Sequence, residues 1–208
     1  CLSSREDTNM RFTPFLVLLL LALWSGSYAE ASVESSQPES DVWITSGIVG
    51  DLSLPDTLRG ELEVKYRDLS VVKNGTLTPA QTAEAPTMVK LRGAINCIPP
   101  FALVMLDPDV PSRENPTERS KLHWMVLNVN STRKLHEGDV AVPYRGPNPT
   151  SGSGPHRYVF LAYCQGAQRV LTSEIAPQQR SNFDLEEFFK KLKAGNPFGG
   201  NFFYAENV

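Results

Sequence analysis

The sequence predicts a mainly β domain built as a sandwich, and three observations predict it. Its apolar stretches are short and either alternate with polar residues or run unbroken for about a strand's length. Turn residues separate them, among them Asn74-Gly75 and the Gly/Pro-rich stretch from Gly146 to Gly154. Only one segment has a convincing helical period.

Taken in order, Val42 to Leu52 is mixed apolar and fits a short helix ahead of Pro55. Leu62-Glu63-Val64-Lys65-Tyr66 alternates, as a half-buried strand does. Pro79 and Pro86 break any helix between them, and Thr87 to Leu91 alternates again. Phe101 to Leu106, Trp124 to Val129 and Arg157 to Cys164 are continuous apolar runs, read as central strands. Phe183, Leu185, Phe188, Phe189 and Leu192 recur at helical spacing. Asn182 or Asp184 can cap that helix, and Gly195 and Pro197 stop it. Lys190, Lys191 and Lys193 complement its C-terminal dipole on a solvated face. Phe202 to Tyr204 makes a last short strand. With no repeat or linker, residues 42–208 form one domain behind a polar, flexible lead at 30–41.

The first 29 residues are excluded from the domain. Residues before Met10 read as upstream read-through. Met10-Arg11, the apolar run Phe15 to Leu23 and Ser27-Tyr28-Ala29 have the layout of a signal peptide, too short for a membrane anchor. A secreted, extracellular protein with no transmembrane segment is expected. Asn74-Gly75-Thr76 and Asn130-Ser131-Thr132 are glycosylation acceptors, and both must then face solvent. The net charge of −3 implies no broad basic surface, so nucleic acid is not an expected partner.

The chemistry-bearing residues concentrate between Asp107 and Tyr158. Asp107-Pro108-Asp109-Val110-Pro111-Ser112-Arg113 is followed by Leu122-His123-Trp124, then by Gly154-Pro155-His156-Arg157-Tyr158. A phosphate needs convergent donors. His123 and His156 can each supply an N–H, Tyr158 a hydroxyl, and the Gly146–Gly154 loop its backbone N–H groups. Asp107 or Asp109 can orient one imidazole and favour its charged form, or meet an ammonium group. Other readings compete. His and Asp are metal ligands, but no ligand-type spacing accompanies them. Ser112 lacks a nucleophile elbow, so no enzyme and no cofactor are expected. The polar groups could also simply satisfy one another. His136 reads as a surface residue without a role, and Arg113 or Arg157 could pin its loop to a carboxylate.

These motifs, with Leu77-Thr78-Pro79-Ala80-Gln81, Pro86-Thr87 and Gly200-Asn201-Phe202-Phe203, resemble the phosphatidylethanolamine-binding protein family over roughly residues 43–205. The resemblance implies a large antiparallel sheet packed on a smaller one, a few peripheral helices and a shallow anion pocket. It implies binding of phosphate-bearing ligands such as phospholipid head groups, phosphatidylethanolamine included. The alternative is a serine protease inhibitor or signalling modulator acting through protein contacts. Its pocket positions are Asp107, Asp109, Pro111, His123, Gly146, Gly152, His156 and Tyr158. Many members continue into a further helix that borders the pocket; here the sequence reaches Val208 soon after Tyr204, so a less covered pocket is expected.

A disulfide between Cys97 and Cys164 is also expected. The strand from Phe101 runs toward Asp107 and the strand from Arg157 runs away from His156, which sets both cysteines at the far end if the strands are neighbours. Closing that loop would stabilise by about 3–5 kcal/mol on the chain-entropy model.

Overall fold

The computed structural model describes residues 39–93, 95–166 and 168–207. The expected signal segment and residues 30–38 of the lead lie outside them. Helices α1 (Glu39–Thr45) and α2 (Ile48–Asp51) fill the stretch where one short helix was expected, and α1 begins inside the stretch read as flexible lead. Trp43 and Ile48 explain this order, because both are buried in the core.

Strands β1 (Gly60–Tyr66), β2 (Leu69–Ser70), β3 (Gly75–Thr76) and β4 (Met88–Arg92) follow. Then come β5 (Phe101–Asp107), β6 (Lys121–Val129), β7 (Asp139–Val142) and β8 (His156–Cys164). Helices α3 (Thr172–Ile175) and α4 (Leu185–Lys191) precede the last strand, β9 (Gly199–Ala205). Asp184 caps α4, its side chain accepting from the Glu187 N–H at 2.8 Å.

The strands join in the order β2-β1-β9-β8-β5-β6-β7, with β3 also on β9 and β4 also on β1. This departs from the expected all-antiparallel pairing. One hydrogen-bonded, mixed sheet is present among the described residues, and β9 pairs in parallel with both β1 and β3. Glycine explains the junction. A Cβ on Gly60 would lie 2.5 Å from Leu91 Cδ1, and one on Gly199 2.9 Å from the same atom. The two strands therefore approach closely at Gly60–Gly199 and Glu61–Gly200, after which β3 takes over the edge of β9 at Phe203 and Tyr204.

Strand β5 is buried on both faces. Ala102, Val104 and Leu106 pack with Trp43, Ile48, Phe183 and Phe189 under the helices. Phe101, Leu103 and Met105 pack with Leu62, Val64 and Val89 from β1 and β4. This is why its sequence is an unbroken apolar run, and each such side chain contributes about 1.5–3 kcal/mol of burial. Residues past the ends of β5, β6 and β8 are thereby held on a rigid support.

Cys97 and Cys164 form a disulfide, at the end where Phe101 of β5 faces Cys164 of β8. Asn74 and Asn130 are exposed. His136 is not the idle surface residue expected: it is half-buried, and its Nδ1 accepts from the Val89 N–H at 3.1 Å, satisfying a strand donor that would otherwise be orphaned.

Candidate functional site

Asp107 ends β5 and His156 begins β8 beside it. His156 Nδ1 lies 2.9 Å from Asp107 Oδ2, and its Nε2 lies 2.9 Å from Ser153 Oγ. Serine, histidine and aspartate in this connection look like a hydrolase triad, but the proton count is the reverse of one. Ser153 donates its hydroxyl to the Thr150 carbonyl at 2.6 Å, so Oγ faces His156 as an acceptor. Nε2 therefore carries a proton, and Nδ1 carries one for the carboxylate. The ring is an imidazolium clamped between two acceptors. Burial disfavours this charge, yet the Asp107 hydrogen bond and charge outweigh it and raise the pKa above the usual 6.5.

Asp109 lies beside Asp107 in the chain but has different partners. It is fully buried, and Arg157 occupies both its oxygens: Nε reaches Oδ2 at 2.8 Å and Nη2 reaches Oδ1 at 2.5 Å. Arg157 also donates to the Ser46 carbonyl at 2.8 Å and to Asp51 Oδ2 at 2.6 Å. Burial works against its charge, but Asp109 and Asp51 more than compensate, and its pKa is raised. Arg113 donates to the Ser46 carbonyl too, at 2.7 Å, not to a carboxylate. Arg119 binds Asp51 Oδ1 and the Pro108 carbonyl. This lattice pins the 107–119 loop to the turn between α1 and α2. The Asp109 N–H then donates to Asp107 Oδ1 at 2.8 Å, which fixes the carboxylate that holds His156.

His123 on β6 has a different proton arrangement. Its Nδ1 donates to the Arg145 carbonyl at 2.7 Å, so the neutral ring leaves a bare lone pair on Nε2. Burial pushes its pKa down, while the Arg145 carbonyl and the Asp107 charge oppose and Lys121 and Arg180 reinforce the fall. The ring meets Tyr158 edge-on, centroids 5.2 Å apart. Among the described residues, His123 Nε2 and the Tyr158 hydroxyl are the buried side-chain polar atoms that lack a hydrogen-bond partner. Tyr158 is near enough to Asp107 and the Asn148 backbone to feel both, without good hydrogen-bond geometry to either. Burial first and the Asp107 charge second push its pKa up.

The expected constellation is thus brought together around Asp107, but not as an open mouth: His123 is 5% exposed and His156 is 2% exposed. Nor does either ring present a free N–H, because all of them are already donated. Pro111 is exposed, with its backbone close enough to His156 to favour the charged ring. Gly146 packs where a Cβ would meet the Thr82 carbonyl at 2.6 Å. Gly152 sits in the exposed turn beside Ser153 with φ of 78°. A cavity of about 520 Å³ lies elsewhere, by α3 and α4. On its rim Asp184 caps α4, Glu187 pairs with Lys191, and Glu174 adds a further carboxylate. Among the described residues no group of three or more His, Cys, Asp or Glu could hold a metal, and no helix is long and apolar enough to cross a membrane. Sequence reasoning missed Ser153, Thr150 and Asp51. A serine three residues before a motif histidine was the available signal for the first; nothing local marks the other two.

The domain is mainly β and gathers buried acid, imidazole and phenol groups at the ends of its central strands. The model of the phosphatidylethanolamine-binding protein family matches residues 70–203, and the chain belongs to that family. It is 36% identical over 164 residues to Protein FLOWERING LOCUS T of Arabidopsis thaliana, covering 78% of this chain and 89% of that protein. It is 34% identical over 151 residues to Protein MOTHER of FT and TFL1 homolog 2 of Oryza sativa, covering 73% of this chain and 82% of that one. Among solved structures it is similar to a carboxypeptidase Y inhibitor complexed with its cognate proteinase, with TM-score 0.71 and 26% identity over 85% of this chain and 98% of that one. The fold is shared with a phosphatidylethanolamine-binding protein from Plasmodium vivax, at TM-score 0.66 and 21% identity over 82% of this chain and 98% of that one.

Proposed function

We propose that the protein is a secreted binding module for phosphate-bearing ligands, phospholipid head groups included, with no catalytic step. The observation that carries this reading is the pair of buried atoms without partners, His123 Nε2 and Tyr158 Oη, beside the His156 imidazolium. Each such atom costs about 1–3 kcal/mol when left unpaired, a cost that a polar ligand removes. Lys121 and Arg180 set positive charge near the His123 ring. The locked proton on His156 Nε2 argues against serine nucleophile chemistry. The signal-peptide pattern, the disulfide and the exposure of Asn74 and Asn130 support secretion.

Calorimetry with inorganic phosphate and phosphorylethanolamine tests the site. Saturable binding is expected, weakened in Tyr158→Phe, a change that breaks no protein hydrogen bond and so leaves the fold intact. Equal affinity in the variant and in His156→Ala removes the site from consideration. Expression in a secreting cell line tests export: the mature chain should begin at Glu30 and lose mass on glycosidase treatment, in steps abolished by Asn74→Gln and Asn130→Gln.

The second reading is an inhibitor of proteases, favoured by the likeness to the carboxypeptidase Y inhibitor. Inhibition would use an extended surface. Assays against carboxypeptidases and serine proteases separate the two, since Tyr158→Phe should leave inhibition unchanged.

A further inference from the structure

The cavity of about 520 Å³ beside α3 and α4 shares no lining residue with the Asp107 cluster. Its size falls in the range of small-molecule sites, about 300–1,000 Å³. One wall is the segment 177–183, which main-chain bonds tie down. The Arg180 carbonyl accepts from the Leu122 N–H at 2.7 Å, and the Phe183 N–H donates to the Ser120 carbonyl at 2.8 Å. The Ser181 hydroxyl donates to Glu118 at 2.6 Å. The other wall is one face of α4. Leu185 and Phe189 turn into the core, where Phe189 stacks on Tyr163 with ring centroids 3.7 Å apart. Asp184, Glu187, Phe188, Lys191 and Leu192 recur at three- and four-residue spacing along the neighbouring stripe and line the cavity. Phe188 and Leu192 are half-buried: they pack on the core and leave apolar surface toward the cavity, as does Ile175 of α3. The rings of Phe183 and Phe188 meet with centroids 5.3 Å apart, so one corner of the cavity is aromatic.

Charge then selects the ligand. Glu174, Asp184 and Glu187 bring three carboxylates to the cavity, against the one ammonium of Lys191. Asp184 is spent on the α4 cap at 2.8 Å, and Lys191 on Glu187 at 2.7 Å. The Glu174 side chain has no hydrogen bond or ion pair among the described residues. An anion would meet net negative charge here. A neutral apolar ligand would cover the rings but leave Glu174 without a partner beside it. A cation with an apolar body satisfies both demands. Its charge pairs with Glu174, and its body covers Phe183 and Phe188, whose ring faces also attract a cation.

We propose that this cavity is a second ligand site, which takes a small organic ammonium with an aromatic or branched apolar body. The site is independent of the phosphate-binding reading, and neither stands or falls with the other.

The test is heteronuclear NMR on the folded chain at neutral pH and low salt. Three probes of one shape are titrated: phenethylamine as the cation, phenethyl alcohol as the neutral compound and phenylpropionate as the anion. Phenethylamine should shift the amide signals of Glu174, Phe183 and Phe188 saturably, with a dissociation constant of roughly millimolar order. The alcohol should bind about fivefold more weakly, and the anion should cause no saturable shift. At about 0.5 M salt the amine should fall to the level of the alcohol, because pairs at an exposed rim are screened. Glu174→Gln breaks no protein contact of that side chain, so it should erase the advantage of the amine and leave alcohol binding unchanged. No saturable shift with phenethylamine, equal binding of amine and alcohol, or an undiminished amine preference in Glu174→Gln overturns the proposal. Signals at these residues that depend on the concentration of the free chain overturn it as well, by showing a second copy of the chain seated there.

Discussion

Replacing Arg157 with Met tests the support beneath the site. The guanidinium and Asp109 are both fully buried and paired through two contacts, at 2.8 and 2.5 Å. Methionine fills much of the space but leaves the Asp109 carboxylate with only the backbone N–H of residue 157, now at 2.8 Å, as its remaining partner from that residue. Breaking a buried pair from one side costs about 3–5 kcal/mol. For a domain of this size that lowers Tm by roughly 6–20 °C. Thermal unfolding followed by circular dichroism, with urea unfolding alongside, measures it. The double variant Arg157→Met/Asp109→Leu removes the stranded charge and should recover most of the loss. Asp51 keeps Arg119 as a partner in both. A single-variant shift under about 3 °C, or a double variant less stable than the single, would refute the claim that this pair holds the loop.

Stability should also depend on pH in two opposed ways. The His156 pKa is raised in the fold, so its contribution is complete below the ordinary 6.5 and is lost as pH rises through the folded value. The His123 pKa is lowered, so its contribution is present above 6.5 and is lost as pH falls through the folded value. Urea midpoints from acid to mildly alkaline pH should fall at both ends; His156→Gln should flatten the alkaline side and His123→Gln the acid side, and unchanged slopes would contradict the proton assignments. Reduction of Cys97–Cys164, or Cys97→Ser with Cys164→Ser, should cost about 2–5 kcal/mol, read from chemical unfolding. Alkylation of the oxidised chain beginning at Glu30, which lacks Cys1, should add no mass. Asp184→Ala should cost about 1 kcal/mol by removing the α4 cap, with Asp184→Ser recovering much of it.

The sequence alone determined those features that depend on neighbours in the chain. Alternation in Leu62 to Tyr66 marks β1 because successive side chains face opposite ways, and its burial alternates as expected. The period of Leu185 and Phe189 and the cap at Asp184 mark α4 for the same local reason. The unbroken run from Phe101 to Leu106 announced a strand covered on both sides. The grouping of Asp107, His123, His156 and Tyr158 was legible from the motifs they belong to.

Tertiary structure alone decided which groups pair across long separations, and with that the chemistry of the site. Gly60 meets Gly199 in a parallel pair, an arrangement no local pattern encodes, because it arises where two distant strands have room to touch. Asp109 pairs with Arg157, 48 residues away in the chain, because a buried carboxylate needs a buried cation. The proton on His156 Nε2 follows from a hydroxyl turned toward the Thr150 carbonyl, and the lone pair on His123 follows from the position of the Arg145 carbonyl. Sequence names the titratable groups, but the direction of each hydrogen bond is set by which acceptor the folded chain brings within reach, and that direction makes one imidazole a charged clamp and the other a waiting base.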